Sequence, residues 1–180
     1  MRRRAFIALI GSAATPSFTA RAQQPVRVIG FLSVSPPIKL ASYMAAFRQG
    51  LSETGYVDGE NLAIDHRWVE SRYDLFPALA ADLVQRRLDL IATGTVAAAL
   101  ALKNATSTIP IVVIVADPVE DGLVASLDRP GGNFTGTSLM LTELVPKQLE
   151  LLSELVPQAS VIALLVNPNN AHAERVIGKA

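Results

Sequence analysis

Four short stretches place small polar residues at the ends of apolar runs: Ser33-Val34-Ser35-Pro36, Thr93-Gly94-Thr95, Ala116-Asp117-Pro118 and Asn167-Pro168-Asn169-Asn170. Ligands of open parallel sheets sit beyond the carboxyl ends of the strands, so these are the candidate contacts. Ser, Thr, Gly and Asx groups exchange hydrogen bonds with a ligand without supplying a nucleophile, a general base or a metal ligand. Thr93-Gly94-Thr95 carries the sharpest expectation. In ATGTVAAAL (92–100) a strand, a glycine and the start of an alanine-rich helix coincide, and the exposed N–H groups of a helix start attract carboxylate or phosphate. The competing reading is that Gly94 serves only a positive φ or close packing. Asp117 either meets a ligand amine or caps the helix expected after it. Ser33 and Ser35 are turn formers by default and ligand contacts in the alternative.

An enzyme needs more than this. Gly30, in the first strand, is followed by Phe, Leu and Ser, so no G-x-G-x-x-G fingerprint is present, and no phosphate-loop motif occurs elsewhere. The histidines are His66 and His172, far apart in sequence, and the chain has no Cys. No catalytic residue, metal site or cofactor is therefore expected. His66 reads as a strand residue half-buried beside Trp68, and Trp68 and Tyr73 read as core or surface cover.

The elements that would hold these residues alternate. Val26 to Leu32 is an apolar run of the buried parallel type, and Tyr43 to Leu51 repeats at helical spacing before Gly55, a C-terminal cap. Asn61 to Val69 alternates as a strand, and 74–88 reads as a helix with Pro77 in its first turn. Strand 89–93, helix 96–105 and the β-branched strand 111–115 follow, then a short helix over 119–128 and a turn at Arg129-Pro130-Gly131-Gly132-Asn133. Beyond it, 135–140 reads as a strand, 143–155 as a helix, VIALLV (161–166) as a buried strand, and the last residues as a helix. The order predicts an α/β fold with a doubly wound parallel sheet and helices on both faces. The expected organisation is a first lobe over 26–130, a hinge over 131–136 and the incomplete start of a second lobe over 137–180, with VIALLV as an unpaired apolar edge.

Charge divides the chain unevenly. It carries 16 basic and 16 acidic residues, but the first 22 hold four arginines and no acid, which leaves 12 basic and 16 acidic residues and a net charge of −4 beyond them. Arg2, Arg3 and Arg4 make a basic start, Phe6 to Ala14 an apolar stretch, and Ala20-Arg21-Ala22 an A-x-A cleavage site, so residues 1–22 are expected to be an export signal cut near Ala22. Arg3-Arg4-Ala5-Phe6-Ile7 is similar to the twin-arginine signal. The chain is expected in the periplasm after handling by the export machinery. A mildly acidic mature surface gives no footprint for nucleic acid.

Three phrases carry a family resemblance: FRQGLSETGYVDGENLAIDHRWVESRYDLFPALAADLV (47–84), ATSTIPIVVIVADPVEDGLVASLDRPGGNFTGTSL (105–139) and LELLSELVPQASVIALLVNPNN (149–170). The chain resembles ABC-transporter substrate-binding proteins of the type I periplasmic-binding-protein group that includes tryptophan- and tyrosine-uptake components. The resemblance implies a two-lobed receptor that closes on a small organic solute, an amino acid among the options, and delivers it to a permease in the inner membrane. Loop placement in that fold puts the ligand contacts at Ser33, Ser35, Thr93, Gly94, Thr95, Asp117, Thr137, Ser138, Asn167 and Asn169. Members of the family are nearly twice as long, which implies a truncated second lobe. The alternative class, a small-molecule-modifying enzyme on the same sheet, predicts phosphate-ester binding at Gly94.

Overall fold

The computed structural model describes residues 26–168 and 172–180. The export-signal residues Arg3, Arg4, Phe6, Ala20 and Ala22, and the contact position Asn169, lie outside them. Five parallel strands form one sheet in the order β2-β1-β3-β4-β5: β1 (Arg27–Ser33), β2 (Leu62–Trp68), β3 (Leu90–Thr93), β4 (Ile111–Val115) and β5 (Phe134–Ser138). The order in which strands are added reverses at β1: the chain steps to β2 on one side of it and then to β3 on the other. That is the switch point at which crossovers diverge and leave a crevice.

The helices divide between the two faces. α1 (Ala41–Glu53) sends Phe47 and Leu51 onto a cluster with Ile29, Phe31, Leu62, Ile64 and Ala92. α2 (Phe76–Gln85) and α3 (Val96–Ala105) cover the other face, where Leu32, Phe76, Ala80, Leu83, Ile91, Ala98, Ala99, Leu102, Ile111 and Val113 make the larger core. A strand covered on both faces needs a continuous apolar run, and Val28 to Leu32 of β1 is one; IVVIV is equally apolar but buries Ile111, Val113 and Val115 while Ile114 is 53% exposed. α1 ends as expected at Gly55: with φ at +89°, Tyr56 N–H reaches Leu51 O at 2.9 Å and Gly55 N–H reaches Ser52 O at 3.0 Å, the paired bonds of a Schellman cap. α3 and β4 occupy the spans expected of them, and Pro77 sits in the first turn of α2.

Three expectations are corrected. Residues 119–128 form no helix. After Pro118 the chain turns twice, with Asp121 N–H on Asp117 O at 2.9 Å and Leu123 N–H on Pro118 O at 2.9 Å, and Gly122 at φ +66° stops any propagation. Residues 134–138, divided in expectation between a hinge (131–136) and the start of a second lobe (137–180), form one strand of this sheet, β5, which pairs with β4 from Ile111↔Phe134 to Val115↔Ser138. Gly136 permits this close pairing. Its φ is +153°, and a Cβ there would overlap the carbonyl of Val113. VIALLV forms no strand: 161–166 has no ladder partner, and Leu165 is 99% exposed. A β-rich run gains from extended structure only where neighbours accept its hydrogen bonds and cover its side chains. After β5 the chain carries α4 (Val145–Leu155), of which Val145 is buried, and α5 (Ala173–Lys179).

Candidate functional site

A cavity of about 340 Å³ opens at the carboxyl ends of β1, β3 and β4, beside the switch point. Its floor is the start of α3: Gly94, Thr95, Val96 and Ala97 line it, and Thr95 is the N-cap residue with extended backbone. No side chain caps α3. Thr93, buried at the tip of β3, accepts Thr95 N–H on its hydroxyl at 3.3 Å, which fixes the turn and leaves the next N–H groups facing the cavity end of the helix. Those groups and the helix dipole put partial positive charge there without a formal cation. Gly94 is not needed for backbone reasons: an added Cβ would find only Ile114 O, at an ordinary 3.7 Å, and Ile114 itself lines the cavity. Its lack of a side chain keeps the helix start open.

The walls are mostly apolar. Val34 follows β1, Ile114 and Val115 come from β4 and Ala116 follows it, Leu139 and Leu141 follow β5, and Tyr73 precedes α2. Asn167 and His172 close the far side. His172 accepts from Arg175 Nη2 at 2.6 Å on Nδ1, which leaves Nε2 to carry the proton 3.4 Å from Asp121 Oδ2. The Asp121 carboxylate is 2% exposed and also takes Arg175 Nη2, while Arg175 Nη1 pairs with Glu120 Oε2 at 3.2 Å. This ion-paired cluster ties α5 to the turn after β4. The arrangement suits a solute with an anionic head at the α3 start and an apolar body between Val34, Ile114 and Leu139, in a volume of the usual size for a small-molecule site.

Of the expected contacts, Gly94, Thr95 and Asn167 line the cavity. Ser33 and Thr93 are buried behind its rim, and Ser33 donates to Ser35 O at 2.6 Å. Asp117 sits beside Ala116 with its Oδ2 buried and without a hydrogen-bond partner, and there is no helix after it to cap. Ser138 donates to Ala116 O at 2.6 Å, clipping β5 to β4, and Thr137 is exposed on the sheet edge. Tyr73, Leu139, Leu141 and His172 were not foreseen. They arrive through long-range packing, and only the strand-tip rule applied to 134–138 could have pointed to Leu139. Among the described residues no group of His, Cys, Asp and Glu is placed to hold a metal ion, and no helix is long and apolar enough to cross a membrane.

A doubly wound parallel sheet with an apolar, dipole-floored crevice at its switch point defines a ligand-binding α/β lobe. Residues 27–179 match the family described as ABC transporter substrate binding protein, and the chain belongs to it. A tyrosine-binding protein of Clostridioides difficile (strain R20291) is 38% identical over 129 residues, 71% of this chain and 37% of that protein. A conserved domain protein from Vibrio cholerae superposes with a TM-score of 0.75 at 29% identity, over 85% of this chain and 51% of that one. An ABC domain from Streptococcus pneumonia in complex with L-Trp superposes with a TM-score of 0.64 at 31% identity, over 73% of this chain and 44% of that one. The chain thus spans about half of the solved relatives and 37% of the curated one. Both the family resemblance and the α/β parallel fold expected from the sequence are borne out.

Proposed function

We propose that the protein is the solute-binding component of an ABC importer and captures an amino acid with an apolar side chain. The observation that carries this reading is the uncapped start of α3 opening into an apolar cavity of about 340 Å³. A carboxylate docks on N–H groups near Val96 and Ala97, and the apolar side chain lies along Val34, Ile114 and Leu139. Asp117 Oδ2, buried and without a hydrogen-bond partner, is the group best suited to the solute's ammonium. The ligands named for relatives, tyrosine and L-Trp, have the same chemistry and support the class.

Family membership supports a permease as the partner and an exported location as the place of work, with residues 1–22 as the signal and Arg3-Arg4 as a twin-arginine element. We place the boundary between lobes after Ser138, where β5 ends, so that Leu139 to Leu141 cross into the second lobe and Asn167 and Asn169 come from it. Thermal-shift and calorimetric titrations of the purified protein with L-tyrosine, L-tryptophan and L-leucine test the reading. Saturable binding of one of them, without turnover, supports it; binding of phosphate esters but of no amino acid would overturn it.

A further inference from the structure

β1 and β2 pair in register Phe31↔His66 and Ser33↔Trp68, so these four side chains share the face that α1 covers. The His66 ring lies 4.9 Å from that of Phe31 and 5.9 Å from that of Trp68, against which it stands edge-on at 87°. Phe47 of α1 closes on Phe31 at 5.7 Å. His66 Nε2 is 2.8 Å from Ser33 Oγ, and Ser33 Oγ donates its single proton to Ser35 O at 2.6 Å. With that proton committed, the serine oxygen can only accept from the imidazole, so His66 carries its proton on Nε2.

We propose that His66 is the positioning residue of the 33–35 loop: its Nε2–H bond to Ser33 orients the serine hydroxyl onto Ser35 O and holds Val34 against the solute cavity. The ring is clamped between aromatic neighbours on a strand, whereas the loop has no ladder partner beyond Ser33, so order passes from the strand to the loop. The inference deepens the solute-binding reading and rests on it for its consequence, since a loop that drifts at Val34 widens one wall of the cavity.

Amide exchange of Val34 and Ser35, followed by NMR on the full chain, tests the positioning without a ligand. One hydrogen bond of ordinary strength predicts exchange about five- to tenfold faster in His66→Leu and in Ser33→Ala. His66→Gln, which keeps an Nε2–H donor at similar reach, should stay within about twofold of the parent protein. L-tyrosine and L-tryptophan, titrated calorimetrically, should bind His66→Leu and Ser33→Ala more weakly by a similar factor. Equal exchange in all variants, His66→Gln behaving as His66→Leu, or acceleration spread evenly through 62–68 and α1, would overturn the proposal. Should His66→Leu fail to fold, Ser33→Ala and His66→Gln still decide it. A parent protein that binds neither amino acid, nor L-leucine, removes the solute-binding reading while the exchange pattern continues to judge His66.

Discussion

IVVIV at 111–115 and VIALLV at 161–166 are both uninterrupted apolar runs, the first wholly and the second half β-branched, yet one is a central strand and the other is not a strand at all. Ile111, Val113 and Val115 are buried between β3 and β5, with α3 above them. Val161, at 81% exposed, and Leu165 face solvent. Propensity tilts the comparison toward 111–115, since Ala163, Leu164 and Leu165 replace part of the β-branched set, but the larger difference lies in partners. β4 has a ladder on each edge and a covered face, and 161–166 has neither among the described residues. Extended structure here is a property of the sheet more than of the segment.

The sharpest way to break the comparison is to take a partner away from β4. Gly136→Ala places a methyl group inside the carbonyl of Val113 and at a left-handed φ, so β5 must leave the sheet. The expected loss is more than about 3 kcal/mol in urea unfolding, or failure to fold, because steric overlap with rigid backbone has no cheap relief. The next effect is a contrast between matched deletions. Ile111→Ala should cost about 3 kcal/mol, as a fully buried aliphatic side chain does. Leu165→Ala should change stability by less than about 0.5 kcal/mol, since it removes no buried contact. Equal losses at the two positions would mean that VIALLV is packed in solution.

The smallest effect comes from pH. Burial between Phe31 and Trp68, with Arg48 as a second cause, holds the His66 imidazole below its ordinary value. The folded protein therefore resists taking a proton that the unfolded chain accepts. Stability should be flat above the ordinary histidine range, decline as pH falls through it, and level off once folded His66 also protonates. His66→Phe should remove that part of the decline. Fluorescence of Trp68, the single tryptophan, reports the same event directly. A titration midpoint above the ordinary value would contradict the burial argument.

Much of the fold was legible because its punctuation is local. Pro110 and Asp117-Pro118 bracket β4, Gly55 ends α1, and Pro77 opens α2, so those elements stand close to their expected spans. The failures have separate causes. Nothing within 134–138 tells whether that strand ends one sheet or begins another; only the closeness of its backbone to Val113 decides it. Residues 119–128 carry helix formers behind a favourable proline, but Gly122, at φ +66°, ends the first turn before packing can extend it. The site divides in the same way. Gly94 and Thr95 follow from the strand-tip rule, whereas Tyr73, Leu141 and His172 reach the cavity through tertiary contacts that no spacing records.

The proposed solute site lies at the start of α3 and the tips of β1 and β4. Chemical-shift mapping of the labelled protein during titration with L-tyrosine tests it most directly, because it detects weak binding and locates it. The predicted result is saturable shifts at Val34, Gly94 to Ala97 and Ala116. They should weaken at least about tenfold in Gly94→Val, whose side chain occupies the helix start, while its melting temperature stays close to that of the parent. Shifts clustered instead around Gly122 to Phe134, where a second cavity lies, or unchanged titration of Gly94→Val, would contradict it.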